Sequence, residues 1–438
     1  MRMPVMAIVR RVAGVELTQL RRSGVFTLLA VLVAGLLAGS AVVAWRAEQA
    51  YERQRQRYQG TVEALWDGQP SRHPHRVSHY GYLLFRPRSP LGFFDAGVTA
   101  HTGSTLFLEA HRQNSLNFAD AAQADTPLRF GGLTMALVLQ LIVPLVIFVA
   151  AAGVVARERE DGTLAVVLAQ GPPWWTLLAG KALALFVAAV ALALPAAIAA
   201  AALLAWRRDV AWNAEAWANT GALALLHAAY FGVCAALGVL VSARCRTPRD
   251  ATLALVGVWL TLWVVVPRVG PALGTAAHDL PTRAQFEADV ERKTRALGDS
   301  HNPDDPTFTA FKADVLARQG VARVEDLATN YNGLLMAEGE RLTTNAYREA
   351  RSGVAAALAR QQARVALTGV VSPYVAMRLA SIALSGSGMA HSDDFERQAE
   401  DHRYALVQHL NGLHAEVKER TAAIAGVTDA LDGFIARF

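Results

Sequence analysis

Three imidazoles fall within seven residues, at His73, His75 and His79, and such a set could hold copper or zinc through its ring nitrogens. Arg72 and Arg76 flank them and oppose a cation. The sequence alone therefore assigns no metal, and these three stand as weak candidates. His391, His402, His409 and His414 recur at mixed helical phases and share no face. His227 lies inside an apolar run, where an ionisable ring is costly; it reads either as a hydrogen-bonded packing group or as a transport group. The other concentration of chemistry is Arg157-Glu158-Arg159-Glu160-Asp161-Gly162-Thr163-Leu164, a polar punctuation between two apolar runs.

Motifs for covalent chemistry are missing. No Gly-x-x-x-x-Gly-Lys-Ser/Thr loop occurs, since Ala179-Gly180-Lys181-Ala182 lacks both the leading glycine and the hydroxyl. There is no Gly-x-Ser-x-Gly elbow and no His-Glu-x-x-His pair. The apolar runs carry no paired acids for an intramembrane enzyme. No catalytic residue is assigned.

The elements around the polar stretch belong to a membrane protein. The chain has 438 residues, 53% of them hydrophobic, and these are gathered in blocks instead of at amphipathic spacing. No charge interrupts Leu133 to Ala156 or Ala182 to Trp206, and each run exceeds the roughly 20 residues that cross hydrocarbon as a helix. The net charge of +5 is spread over loops without aromatic interleaving, which argues against nucleic acid. Cys234 and Cys245 are too few and too differently placed for a disulfide framework.

We read an all-α polytopic membrane protein of five to six spans with a largely helical extracytoplasmic domain. Residues 1–24 form a basic cytoplasmic segment. Residues 25–45 are the first span, too long for a cleaved signal peptide, and 46–132 an extracytoplasmic lobe. Residues 133–156 return as the second span, kinked at Pro144, and 157–181 turn in the cytoplasm. Spans follow at 182–206, with a kink at Pro195, at 220–241 and at 251–267, the last ending at Pro267. In the lobe, Glu48 to Gln59 extends the first span as helix, and the prolines and glycines beyond it exclude a long helix.

From Arg268 the chain turns polar and helical, forming a domain over 268–438. Asp304, Asp305 and Pro306 start a helix whose Phe308, Phe311, Val315 and Leu316 share a face. Long helices are expected from about Val324 to Leu367 and from Ser392 or Asp393 onward. Val365 to Leu384 is apolar, but Pro373 and Arg378 make it a buried or membrane-surface helix instead of a sixth span. In the cytoplasmic turn, Thr163 is expected to cap a short helix from Leu164 to Gln170, with Gly171 at its exit and Pro172 and Pro173 forbidding continuation.

Glu158, Arg159, Glu160, Gly162, Thr163 and Leu164 match the Glu-Arg-Glu-x-Gly-Thr-Leu pattern of the coupling helix in ABC-2 type permeases, which this segment resembles. Residues 80–87, 89–99 and 108–114 look like the first outer loop of the group associated with copper-enzyme maturation, including that of nitrous oxide reductase. The resemblance implies a permease of a bacterial inner membrane, with its N-terminus cytoplasmic and no cofactor of its own. ATP and Mg would sit on a separate ATPase, present in two copies, beside a second permease, identical or related. Lipid and an extracytoplasmic protein are further implied partners. The family closes with a sixth span, which would then follow residue 438. A non-transporting scaffold or sensor, whose outer domain binds a partner, is the alternative function.

Overall fold

The computed structural model describes residues 4–70, 73–119, 132–207, 213–277 and 279–416. The chain is an all-α polytopic membrane protein, and five of its described helices are long and apolar enough to cross a bilayer. One small sheet, absent from the sequence reading, lies in the lobe after the first span.

Helix α1 (Val5–Arg22) buries Val9, Ala13, Glu16 and Leu20, spaced so that they form one stripe, while Arg10, Arg11, Arg21 and Arg22 face out. Ser23 then caps α2 (Gly24–Asp67), a 44-residue helix. At 1.5 Å per residue α2 is about 66 Å long, roughly twice the hydrocarbon thickness, so its second half leaves the membrane. That polar half packs on the sheet through Gln59, which donates to Tyr82 Oη at 2.5 Å, and through Trp66, edge-on to the Tyr82 ring. After α3 (Pro74–Ser78), β1 (Tyr82–Phe85), α4 (Thr99–Thr102), β2 (Thr105–Glu109) and β3 (Arg112–Gln113) complete the lobe. The sheet is antiparallel throughout, with Tyr82 opposite Leu108 and Glu109 opposite Arg112.

The second span, α5 (135–151), contains a π-helical turn at Val138–Ile142 just before Pro144. The proline has no N–H and its ring crowds the carbonyl four residues back, so the widened turn is the local solution. The Gln140 carbonyl, freed by that proline, accepts from Tyr230 Oη at 2.6 Å and from Trp263 Nε1 at 3.2 Å. Trp259 Nε1 reaches the next carbonyl, Leu141, at 3.2 Å. The expected kink is thus a π turn tied to two other spans.

Two short helices follow, α6 (Ala156–Glu160) and α7 (Thr163–Ala169), and then α8 (Trp174–Trp206) with Pro195 inside it, and α9 (Ala214–Arg244). The fifth span, α10 (248–277), differs from expectation. It does not end at Pro267: a second π turn at Leu260–Val265 again precedes the proline, and helix continues from Val266 to Ala277. A widened turn removes the clash that was expected to stop it.

The remaining polar part comprises α11 (Arg283–Arg295), α12 (Thr309–Gln319), α13 (Tyr331–Leu367), α14 (Pro373–Leu384) and α15 (Met389–Glu416). Asp305 caps the 3-10 turn ahead of α12, and Phe308 and Val315 are buried with Phe311 and Leu316 against them, as their spacing predicts. Helix α13 starts at Tyr331, later than expected, because Val324–Asp326 forms a separate 3-10 turn. Residues 417–438, where the last helix was expected to run on, lie outside the described residues.

The apolar stretch 365–384 is broken by a 3-10 turn, and α14, with 12 residues, is too short to cross. It lies on the spans: Met377 joins the membrane core, Tyr374 and Leu384 pack against it, and Ser372 Oγ donates to the Leu262 carbonyl. Asp95, fully buried, accepts from Arg378 at 2.5 Å and Ser381 at 2.6 Å, which locks the lobe to α14.

Tyr230→Phe should leave the Gln140 carbonyl with Trp263 alone. A loss of about 1 kcal/mol in unfolding free energy is expected from denaturant titration in detergent, and no loss would mean that the π turn does not need the cross-span bond.

Candidate functional sites: the turn after the second span and a histidine cluster

The turn is built where four membrane elements end together. Ser242, near the C-terminus of α9, accepts from the Val155 and Ala156 amides, both at 3.2 Å, and donates to the Ala152 carbonyl at 3.0 Å. A carbonyl at the end of the second span and the two amides that open α6, groups that a helix end leaves without intrahelical partners, are thereby fastened to α9. Arg159 adds bonds to the Ala243 carbonyl at 2.6 Å and to that of Cys245.

Glu158 turns the other way. It accepts from Lys181 Nζ at 2.8 Å, and Lys181 also pairs with Glu16 of α1. Lys181 and Glu16 are almost wholly buried, with side chains 3% and 6% exposed, whereas Glu158 is 28% exposed. Burial pushes the Glu16 carboxyl up, against the pull of the Lys181 ammonium. Neither Glu16 nor Lys181 was singled out from the sequence. The one legible signal was a lone acid on the apolar stripe of α1 and a lone lysine leading an uncharged run.

The rest of the turn points outward. Glu160, Asp161, Gly162 and Thr163 are exposed, and Leu164 is tucked in. Gly162 has φ +74°, a left-handed conformation that lets α6 end and α7 begin at once. Thr163 does not cap α7 as expected. It is the first helical residue, Gly162 takes the cap position, and the Thr163 hydroxyl donates back to the Glu158 carbonyl at 3.2 Å. Gly171, at φ +90°, provides the expected exit. Val166 and Leu168 leave an apolar face of α7 exposed at 62% and 37%.

Of the three candidate metal ligands, the structure brings two together and adds two that the sequence reading missed. His75 and His79, one turn apart on and after α3, meet His111 and His301, and one ring nitrogen from each lies within 4.8 Å of all the others. The Nε2 atom of His75 is 2.9 Å from that of His79 and 3.3 Å from that of His301. His73 is elsewhere, edge-on to His414 with ring centroids 3.5 Å apart. Arg76 is exposed, and Arg72 lies outside the described residues.

The other ring nitrogens are held from behind. His75 Nδ1 is 2.7 Å from Asn411 Oδ1, His111 Nδ1 is 3.1 Å from Glu340 Oε2, and His301 Nδ1 is 3.3 Å from Asp299 Oδ1. His111 sits in the two-residue turn between β2 and β3 at φ +61°, and its backbone amide also donates to Glu340 at 2.9 Å. Burial works against the Glu340 carboxylate, but the bond from His111 and the charge of Arg403 outweigh it and hold it down at about 2. His301 is carried by a loop pressed onto α13: a Cβ built on Gly339 would fall 2.3 Å from Ser300 Cβ. The cluster opens on a cleft of about 1480 Å³ lined also by His73, Tyr331 and His414. His227, by contrast, bonds the Leu223 carbonyl of its own helix at 2.8 Å and packs on Phe94.

Five apolar helices, a fastened turn at one end and a polar domain at the other define a multi-pass membrane subunit. A family model described as an ABC-2 family transporter protein matches residues 10–302, and the chain belongs to that family. Membership implies a transport subunit of the membrane with an ABC ATPase as partner. A second model, a domain of unknown function named DUF3526, matches residues 283–428. No curated protein matches the chain.

Two outcomes are expected. Lys181→Ala, which strands Glu16 without a countercharge, should cost about 3–5 kcal/mol in detergent unfolding, and Glu16→Gln with Lys181→Met should recover most of it. An unaltered single variant would refute the pairing. Burial also pushes His75 down to about 3 and His402 and His414 to about 4. Unfolded histidine takes up its proton near pH 6.5. Between pH ~6.5 and ~4 the unfolded chain thus holds more protons, and stability rises with pH. The unfolding midpoint of the metal-free chain should drop as pH falls from about 7 to about 5, and a flat or rising midpoint would contradict this.

Proposed function

We propose that this chain is the permease subunit through which a separate ATPase drives export or mechanical work outside the membrane. The observation that carries this reading is the division within the turn. Glu158 and Arg159 are committed to α1, α8 and α9, while Glu160, Gly162, Thr163 and the apolar face of α7 are exposed. A short rigid helix presented this way fits a cleft on a partner, and its displacement would act on α1, α8 and α9 together.

The proposed orientation puts the turn in the cytoplasm of a bacterial inner membrane. Arg10, Arg11, Arg21, Arg22, Arg157, Arg159, Arg244, Arg246 and Arg249 all cluster at that end. With five alternating spans, that orientation would put the polar domain outside. Two ATPases and a second permease, identical or related, complete the proposed assembly, in which ATP and Mg belong to the ATPases. We place the chain in the copper-enzyme maturation group on the wording of residues 80–99 and 108–114.

In vesicles holding the chain and its ATPase, Glu160→Ala and Gly162→Val should lower stimulated ATP hydrolysis and transport about tenfold, a coupling loss of roughly 1.4 kcal/mol, with expression unchanged. Gly162→Val combines a left-handed φ with a β-branched side chain. Full activity in both variants would overturn the reading, and purification with an outer partner but no ATPase would favour a scaffold.

A further inference from the structure

We propose that His75, His79, His111 and His301 bind one divalent transition-metal ion of the zinc or copper class at the seam between the lobe and the polar domain. Unmatched ring lone pairs mark the site. Asn411 Oδ1, Glu340 Oε2 and Asp299 Oδ1 can only accept, so the Nδ1 atoms of His75, His111 and His301 carry the protons and their Nε2 atoms carry lone pairs. His75 and His301 then point two such lone pairs at each other across 3.3 Å. Nε2 of His111 is buried and has no hydrogen-bond partner. His79 can offer a single N–H to this group, at His75. Three converging acceptors with one donor make a hole that a cation fills.

The donor set selects the ion. Four imidazoles, with no thiolate and no carboxylate among them, suit borderline ions such as Zn²⁺ and Cu²⁺ more than Mg²⁺, Ca²⁺ or Cu⁺. Metal–nitrogen bonds of about 2.0–2.1 Å give a tetrahedral nitrogen–nitrogen edge of roughly 3.3 Å, close to the 2.9 and 3.3 Å from His75 to His79 and His301, in a set whose nitrogens all lie within 4.8 Å of one another. Carbonyl and carboxylate groups behind three of the four rings are the outer shell that metal-bound histidines use to fix their tautomer. Burial, which keeps His75 and His79 neutral, leaves them ready as ligands. His111, held at positive φ, is also where backbone strain marks function.

The site joins the two matched families. His75, His79 and His111 lie in the first match alone and His301 in the overlap of the two, whereas Glu340 and Asn411, which orient His111 and His75, lie in the domain of unknown function alone. A bound ion would therefore clamp α3 and the β2–β3 turn to α13 and α15. This inference does not depend on ATP coupling, because the ligands lie at the opposite end of the bundle from the turn.

The test uses the full chain in detergent, without its ATPase and with a histidine-free affinity tag. After chelator treatment it is titrated with Co²⁺ and then with Zn²⁺. One equivalent of Co²⁺ should bind with the visible ligand-field bands of a four-nitrogen site, and Zn²⁺ should displace it and raise the unfolding temperature. His301→Ala, at an exposed position, should abolish the bands and the Zn²⁺ shift while the variant keeps the helical circular dichroism of the unaltered chain. Asn411→Ala should weaken binding about 10–100-fold while keeping the stoichiometry. Absence of a stoichiometric site in the folded chain, or bands that persist in His301→Ala, would overturn the proposal.

Discussion

The structure depends most on a buried ammonium with two carboxylates, Lys181 between Glu16 and Glu158. A lone lysine among apolar side chains would be costly to ionise, and so would a lone glutamate on the inner stripe of an amphipathic helix. Together they fix three segments that are far apart in sequence. Helix α1 is held to the head of the third span, and the turn after the second span is held to both. Arg159 and Ser242 add the fourth element, α9. The exposed helix α7 is therefore not a loose loop but the outer face of a rigid joint.

From that joint the spans are interlocked by a device used twice. Pro144 and Pro267 each follow a π turn, and the carbonyls loosened at the first are bonded by Tyr230, Trp259 and Trp263 from two other spans. Hydrogen bonds of this kind hold helices together where apolar burial gives no preference between lipid and protein. At the far end, Asp95 with Arg378 and Ser381 fastens α14 to the lobe. The histidine cluster sits beyond, on the buried Glu340–Arg403 pair that joins α13 to α15. A displacement of the turn thus has a continuous packed route to the polar domain.

Much of this was legible in the residues. Uncharged runs located the five spans, and the helix start read at Asp305 agrees with the cap found there. The polar stretch 157–164 stood out because it interrupts apolar sequence. What could not be read was long-range. Proline announces a break, yet whether the helix stops or widens depends on Tyr230 and Trp263 arriving from other spans, and so Pro267 was misjudged as an end. Thr163 looked like a cap, but the left-handed Gly162 before it took that place. His75 and His79 were visible only in a set of three with His73, which packs instead on His414, whereas His111 and His301 join them through the sheet and a loop resting on Gly339. The short sheet escaped notice because its strands have at most five residues.

In the proposed orientation the turn faces the compartment where ATP is hydrolysed and the polar domain faces the other. Single cysteines at Val166 and at Glu291, in a chain with Cys234 and Cys245 replaced, can be labelled on intact spheroplasts with a membrane-impermeant maleimide. Labelling is expected at position 291 in intact spheroplasts, and at 166 only after permeabilisation. Labelling at 166 from outside, with 291 protected, would contradict that orientation.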